Sequence, residues 1–369
     1  MFVKKSICPS CSVGCGINLV CNNDEIVGTY PYKRHPINEG KNCLRGRDSY
    51  KKAIENRILT PYINENSKLE ESDLDSAINK IVEIIKNNSP EDIAIISSGD
   101  STNEENKIIS EFAKAYGINK SGFLSGNVIK YEGDIASYDD LNNADFIFVI
   151  GDVVKENPLI GRRIMIAKDN GAEIFTCDTK ELSTSSLNSN KHFTLESISD
   201  LIENFPDEVK NKFKENSVIV FNKLESKEEL NDLAKIASEN NSKILPVLKD
   251  CNTYGSMDYL DPLSEEDLKK LLSEIKNLIL INEDISSCLE DNNLESVIYI
   301  GDNFNETSSK SDIVLPICSW LEKEGSFTNT EGLTQNFYKI KNPPENVLEE
   351  IELLKLIGEK LDITLNVGD

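Results

Sequence analysis

The chain has 369 residues, 38% of them hydrophobic, with 64 carboxylates against 40 Lys and Arg for a net charge of −24. That length suffices for two or three domains with sizeable cores, and so acidic a protein excludes nucleic acid and anionic membranes as natural partners. No apolar run approaches the ~18 residues of a membrane span, and the basic start MFVKKS leads into cysteines instead of an apolar signal core, so a cytoplasmic protein without membrane insertion is expected.

The first 50 residues hold the densest chemistry. Cys8, Cys11 and Cys15 follow a C-x2-C-x3-C spacing, and Cys43 returns after 27 intervening residues. A tight turn can aim the first three thiolates at one centre, with the fourth arriving from a later loop. Four thiolates on one short segment suit a [4Fe-4S] cluster. A structural zinc site is the alternative, but it usually draws on two C-x2-C knuckles, and here the second knuckle is missing. The stretch 17–30 places apolar runs on either side of Asn22-Asn23-Asp24, which predicts a hairpin. Cys21 ends its first strand and reads as a packing residue. His35, in a loop before Pro36, reads as solvent-facing or hydrogen-bonded. The remaining cysteines (Cys177, Cys251, Cys288, Cys318) are scattered singly and read as reduced thiols.

Beyond residue 58 the segment 59–63 is extended, and Ser72 is placed to cap a helix running to about Asn87. Apolar strands follow at 93–99, 145–151 and 172–178, separated by helices. The first of these helices opens on the capping box Thr102/Glu105, and the helix after 158 closes at Gly171. From Asn216 the pattern restarts with strands near 217–222, 243–248, 277–282, 297–302 and 312–316, helices beginning after Ser226 and Ser264, and a final helix over 344–363. Strands apolar on both faces and alternating with helices mean parallel sheets in βαβ units. The predicted architecture is therefore α/β, with a small β-rich N-terminal iron-sulfur domain (1–57) and two doubly wound, Rossmann-like domains (58–200 and 201–369). The polar run 183–190 marks part of the crossing between them.

The motif CPSCSVGCG, a hairpin, and then RHPINEGKNC followed by RGR resembles the N-terminal iron–sulfur domain of molybdopterin oxidoreductases of the formate dehydrogenase large-subunit type. Residues 97–106, 145–163 and 312–335 resemble later segments of that family, so the likeness covers nearly the whole chain. It implies that Cys8, Cys11, Cys15 and Cys43 hold a [4Fe-4S] cluster. The chain is also similar to the cluster-bearing large subunit of complex I and to formylmethanofuran dehydrogenase catalytic subunits, a similarity that implies redox partner subunits (ferredoxin-type, flavin or hydrogenase).

The departures from that pattern carry weight. Catalytic members place a Cys or selenocysteine, followed by His in formate dehydrogenases, in an interval that is 121–140 here; this stretch holds neither, and Ser125 is its one oxygen ligand by placement, read as a turn residue beside Gly126. No catalytic residue for metal-centred formate chemistry is therefore assigned, and whether the chain is itself an enzyme stays open. Arg45 stands where the family has the lysine that bridges cluster and pterin, and no stretch of these 369 residues resembles the family's final pterin-covering barrel, which the resemblance to formylmethanofuran dehydrogenases implies a separate subunit can supply. The strand-end residues Gly99-Asp100, Gly151-Asp152, Asp178 and Gly301-Asp302 lie where doubly wound sheets bind nucleotides, yet no G-x-G-x-x-G or P-loop is present and the acids oppose pyrophosphate. A molybdopterin guanine dinucleotide with Mo or W would draw on Arg45, Asp178 and Lys180, but empty crevices are favoured. The expected function is a single-electron relay subunit of a formate dehydrogenase-like complex, the alternative being a formate or formylmethanofuran dehydrogenase-type subunit that binds a bis-pterin cofactor together with another chain.

Overall fold

The computed structural model describes residues 1–365 apart from 24, 127, 129, 132, 225 and 290–293. Three strands, β1 (Phe2–Ile7), β2 (Gly16–Asn22) and β3 (Glu25–Pro31), form an antiparallel sheet in the order β1-β2-β3. The predicted hairpin is β2–β3, with Asn23 at φ +54° in its turn and Asp24 outside the described residues. β1 pairs along β2 from Phe2↔Cys21 to Ile7↔Gly16. A helix, Leu44–Lys52, then packs on β3.

The body follows in chain order as β4 (Tyr62–Glu65), β5 (Lys68–Glu71), β6 (Ile93–Ser98), β7 (Lys120–Leu124), β8 (Phe146–Ile150), β9 (Glu173–Asp178), β10 (Lys191–Thr194), β11 (Ser217–Phe221), β12 (Lys243–Pro246), β13 (Asp261–Leu263), β14 (Asn277–Ile281), β15 (Ser296–Gly301), β16 (Ile313–Pro316), β17 (Gly325–Thr328) and β18 (Thr334–Phe337). One sheet has the order β10-β9-β8-β11-β12 and is parallel throughout. The other has the order β13-β7-β6-β14-β15-β16-β4-β5, parallel except for its β4–β5 edge. β17 and β18 make a separate hairpin.

This topology corrects the division into 58–200 and 201–369. The strands β11 and β12 join β8, and β14 joins β6, so the five-stranded unit is inserted into the eight-stranded one. The run 183–190 does not cross between domains. It forms the short helix Thr184–Leu187, whose first amides donate to the Asp152 carboxylate, and leads into β10 of the same sheet.

Both sheets are buried on two faces, as continuous apolar strands require. Ile93 and Ile95 enter one core while Ala94 and Ile96 enter the opposite one. Phe146, Phe148 and Ile150 pack among the aromatic residues of one core, whereas Ile147 and Val149 face a core shared with Cys8, Val13, Cys15, Ile17 and Ile37. The N-terminal domain is thus packed directly on the five-stranded sheet. Among the helices, Asp73 rather than Ser72 caps Leu74–Asn87, the Thr102/Glu105 capping box is present, and the last helix is shorter than predicted, Glu350–Lys360. The preceding Leu348 instead bridges to Ile317.

Candidate metal centre and flanking crevices

Cys8, Cys11, Cys15 and Cys43 line one cavity, walled on its far side by Asn157, Pro158 and Leu159. Cys8 and Cys15 are buried, while Cys11 and Cys43 are partly exposed. Burial first, and then the neighbouring Cys11, push the Cys8 thiol up to about 12; burial likewise raises Cys11 and Cys15. Iron ligation must displace these protons, and the surroundings favour the thiolate in three ways. Hydrogen bonds from Ser10 reach Cys8 and one from the Val13 backbone reaches Cys11. The Gly46 amide donates to Cys43 Sγ at 3.3 Å, making Cys43 the N-cap of its own helix. The helix Pro158–Asp169 also begins at the cavity wall, so two helix amino ends, each equivalent to about half a positive charge, face the sulfurs.

The four cysteines gather at one cavity, and the sequence offers no second C-x2-C knuckle of the kind a four-cysteine zinc site usually draws on. The donor set fits a [4Fe-4S] group held by these four cysteines. Cys21 lies apart, buried in β2.

The loop carrying these ligands is held by residues distant in sequence. The Gly16 amide donates to His35 Nδ1 (3.1 Å) and Asn38 Oδ1 (2.9 Å), and Asn38 Nδ2 returns a bond to Gly16 O (2.9 Å). The Gly16 N–H is therefore engaged by these side chains and is not available to the sulfurs. His35 is buried and hydrogen-bonded, and burial holds its imidazole below the usual value. Gln335 Nε2 donates to Gly14 O (3.1 Å), Thr330 N to Ser12 O (2.9 Å) and Tyr138 Oη to Val13 O (2.8 Å). Gly14 sits at φ +78°, where a Cβ would lie 2.2 Å from Gln335 Oε1. The C-x2-C-x3-C spacing carries no signal for His35, Asn38 or Asn157. The 312–335 segment does signal itself as a recognisable block, and it supplies Thr330 and Gln335.

Two crevices flank this centre. The larger, about 770 Å³, opens at the carboxyl ends of β6, β14 and β15 and is lined by Asp100, Asp250, Glu283, Asp302 and Lys52. Burial, followed by the charges of Asp100 and Glu283, pushes Asp250 up to about 7, and burial does the same for Glu283. Burial would lower the Lys52 amine, yet Asp100, Asp302, Glu283 and Asp250 raise it overall. Negative charge is in excess here. The second crevice, about 370 Å³, sits past β8, β11 and β12 and is lined by Lys223, Lys249, Asn222 and Ser125 among apolar side chains including Phe221 and Leu248. It lies at the switch point between β8 and β11, where strand order reverses. Ser125 follows β7, its amide and that of Gly126 donating to Leu263 O (3.1 and 3.2 Å), while its buried Oγ has no partner among the described residues. Arg45 borders both crevices and donates to Glu156 O. The structure does not bring Asp178 and Lys180 to either. Asp178 ends β9, one strand away from the switch point, its Oδ1 accepting from Thr179 N at 2.7 Å, and Lys180 is exposed.

No helix among the described residues is long and apolar enough to cross a membrane. The family model for the molybdopterin oxidoreductase Fe4S4 domain matches residues 1–54, and the molybdopterin oxidoreductase model matches 57–360. The chain is 26% identical to the F420-dependent formate dehydrogenase 1 subunit alpha of Methanococcus maripaludis over 475 positions, spanning 96% of this chain and 70% of that one. That alignment is longer than this chain, so the relative carries inserted segments. Identity to formate dehydrogenase H of Escherichia coli is 29% over 48% of this chain and 28% of that one, and to NADH-quinone oxidoreductase subunit 3 of Thermus thermophilus 30% over 42% of this chain and 20% of that one. The fold superposes on acetylene hydratase from Pelobacter acetylenicus with a TM-score of 0.70 at 13% identity, covering 97% and 69% of the two chains. With the two family models matching 1–54 and 57–360, nearly the whole of its length, this chain belongs to the molybdopterin oxidoreductase family.

Proposed function

We propose that this chain is the iron–sulfur electron-relay subunit of a cytoplasmic formate dehydrogenase-like complex, without a metal–pterin catalytic centre of its own. The observation that carries this reading is the contrast between the two kinds of site. Four cysteines surround one cavity under two helix amino ends, while residues 121–140 contain no Cys or His to ligate molybdenum or tungsten or to move a proton. When bound, a [4Fe-4S] group supplies one-electron chemistry. The protein's own part is to hold it by Cys8, Cys11, Cys15 and Cys43, to offset its negative charge with amides and helix ends, and to bring Arg45 and Arg47 close to Cys43 in sequence, where their charge favours the reduced form. Relatives named as subunits support redox partner subunits in general, and this reading expects them to be of the ferredoxin, flavin or hydrogenase type.

The second reading is a formate or formylmethanofuran dehydrogenase-type subunit binding Mo or W through pterins jointly with another chain. One observation favours it: the switch-point crevice offers Lys223, Lys249 and the unpartnered Ser125 hydroxyl, a lining suited to an anionic nucleotide. The larger crevice does not fit a second such group, because its carboxylates repel phosphate. Elemental analysis of anaerobically purified native material separates these readings. Iron at about four atoms per chain with broad absorbance near about 400 nm and no Mo or W is expected. One Mo or W per chain with extractable pterin would select the second reading, and stoichiometric zinc without iron would overturn both.

A further inference from the structure

The four cysteines are not equally close to solvent. Cys8 and Cys15 are buried, and the partly exposed Cys43 begins the helix Leu44–Lys52. That helix buries Gly46 and Ser49 and turns Leu44, Arg47 and Lys51 outward, at i, i+3 and i+7. Leu44, the residue after the ligand, is 65% exposed. Lys33, Arg34, Lys41, Arg47 and Lys51 are exposed as well. Lys33 lies against the Gly40 turn that precedes Lys41, its Cα 3.1 Å from the position of a Cβ on Gly40. Glu39 of this stretch pairs with Arg162 and Asp48 with Lys51, both at 2.9 Å, so the excess positive charge comes from Lys33, Arg34, Lys41, Arg45 and Arg47. Between residues 33 and 51 six Lys and Arg stand against two acids, so the segment that carries Cys43, with the exposed Leu44 on the same helix face as Arg47 and Lys51, has an excess of positive charge on a chain whose net charge is −24.

We propose that this face is the docking surface for a small acidic one-electron carrier protein of the ferredoxin class. The proposal rests on the electron-relay reading above and names its partner. An acidic carrier is repelled by most of this molecule, and salt screens that repulsion beyond roughly 8–10 Å. Attraction survives at close range only over the basic face, which orients the carrier with its acidic surface toward Cys43 and its apolar rim against Leu44. In the exchange one electron moves, oxidising the carrier by one and reducing the protein's centre by one, with no bond made or broken and no proton transferred.

The test uses the full-length, anaerobically purified holoprotein and ferredoxin as the probe. Reduction by dithionite, which needs no docking, is followed by electron paramagnetic resonance; no reduced-cluster signal there defeats the relay reading itself. Binding of oxidised ferredoxin is then measured by calorimetric titration. The wild-type Kd should rise about tenfold or more between about 20 mM and about 500 mM salt. The combined Lys33→Glu, Lys41→Glu, Lys51→Glu variant should bind about tenfold or more weakly at low salt with a flattened salt response, while Lys86→Glu with Lys310→Glu, on remote exposed surface, should bind as wild type. Leu44→Ser, which keeps every charge and alters only an exposed side chain, should weaken binding several-fold with the wild-type salt slope. Salt-independent or undetectable binding, an unchanged Kd in the triple variant or in Leu44→Ser, or equal weakening in the remote variant overturns the docking surface even where dithionite produces the signal.

Discussion

At the scale of single residues, the ligand assignment separates cysteines that look alike in composition. Cys43 lines the thiol cavity and caps a helix, whereas Cys21 is packed in the β2 core with only a weak contact to Leu19 O at 3.9 Å. Cys43→Ser should lose most of the iron and the absorbance near about 400 nm, and Cys21→Ser should retain both. Equal bleaching by the two variants would refute the assignment. Gly14 offers a sharper probe because it touches no metal. Its φ of +78° and the 2.2 Å approach of Gln335 Oε1 leave no room for a methyl group. Gly14→Ala should lower iron occupancy and destabilise the N-terminal domain by roughly 1–3 kcal/mol, read as iron content and as thermal unfolding of the holoprotein; full occupancy at the wild-type Tm would show that the loop tolerates the side chain.

Between elements, buried charge does much of the joining. Lys323, 7% exposed, reaches Glu105 and, at 3.2 Å, Glu350, tying the segment before β17 to two helices. Although burial opposes it, the neighbouring lysine holds Glu105 down to about 2, while burial and then Glu105 push Glu350 well up. Lys323→Met should cost about 3–5 kcal/mol because it strands two carboxyl groups in the interior; a loss below about 1 kcal/mol in denaturant titration would contradict the pairing. The crevice acids behave in the opposite sense. Asp250 and Glu283 both have folded values near 7, above their unfolded ones, so the folded state binds more protons between about pH 4 and pH 7 and stability falls as pH rises through that window. Asp250→Asn and Glu283→Gln should each stabilise the protein at pH 8 by roughly 1–3 kcal/mol and have little effect at pH 4. Thermal melts at the two pH values check this, and an equal effect at both would show that the carboxylates are not the strained groups.

For the whole molecule, the nested topology is the fact with the widest consequence. The chain builds β4–β7, leaves to complete a five-stranded sheet, and returns to finish the first sheet with β13–β16. The larger sheet therefore closes only after residue 313, and its contacts span long loops, which slows folding. A fragment covering 58–200 lacks β11, β12 and β14 to β16, the partners of its central strands. It should show no cooperative thermal transition, whereas a sharp, reversible melt from that fragment would restore the two-domain division. The same nesting lets residues 329–335, near the end of the chain, brace the cysteine loop at its beginning.

Periodicity and composition alone gave the central apolar strands, the longer amphipathic helices, the Thr102/Glu105 capping box and the parallel α/β class, which follow from local propensity and burial on both faces; short strands such as Lys120–Leu124 and Asp261–Leu263 carried no such signal. That Cys8, Cys11, Cys15 and Cys43 belong together was equally legible, since C-x2-C-x3-C is a local spacing and Cys43 completes it, and the four do line one cavity. Strand partnership was not, because an apolar strand such as Ser217–Phe221 satisfies its hydrogen bonds beside any parallel neighbour, and consecutive strands adjoin only about two-thirds of the time. Placing β11 beside β8 set the switch point, moved Asp178 and Lys180 away from it, and brought Ser125, Lys223 and Lys249 to it. His35, Asn38 and Gln335 became supports of the cysteine loop only through the same long-range packing. Such contacts join residues as many as 321 positions apart, and tertiary folding alone decides them.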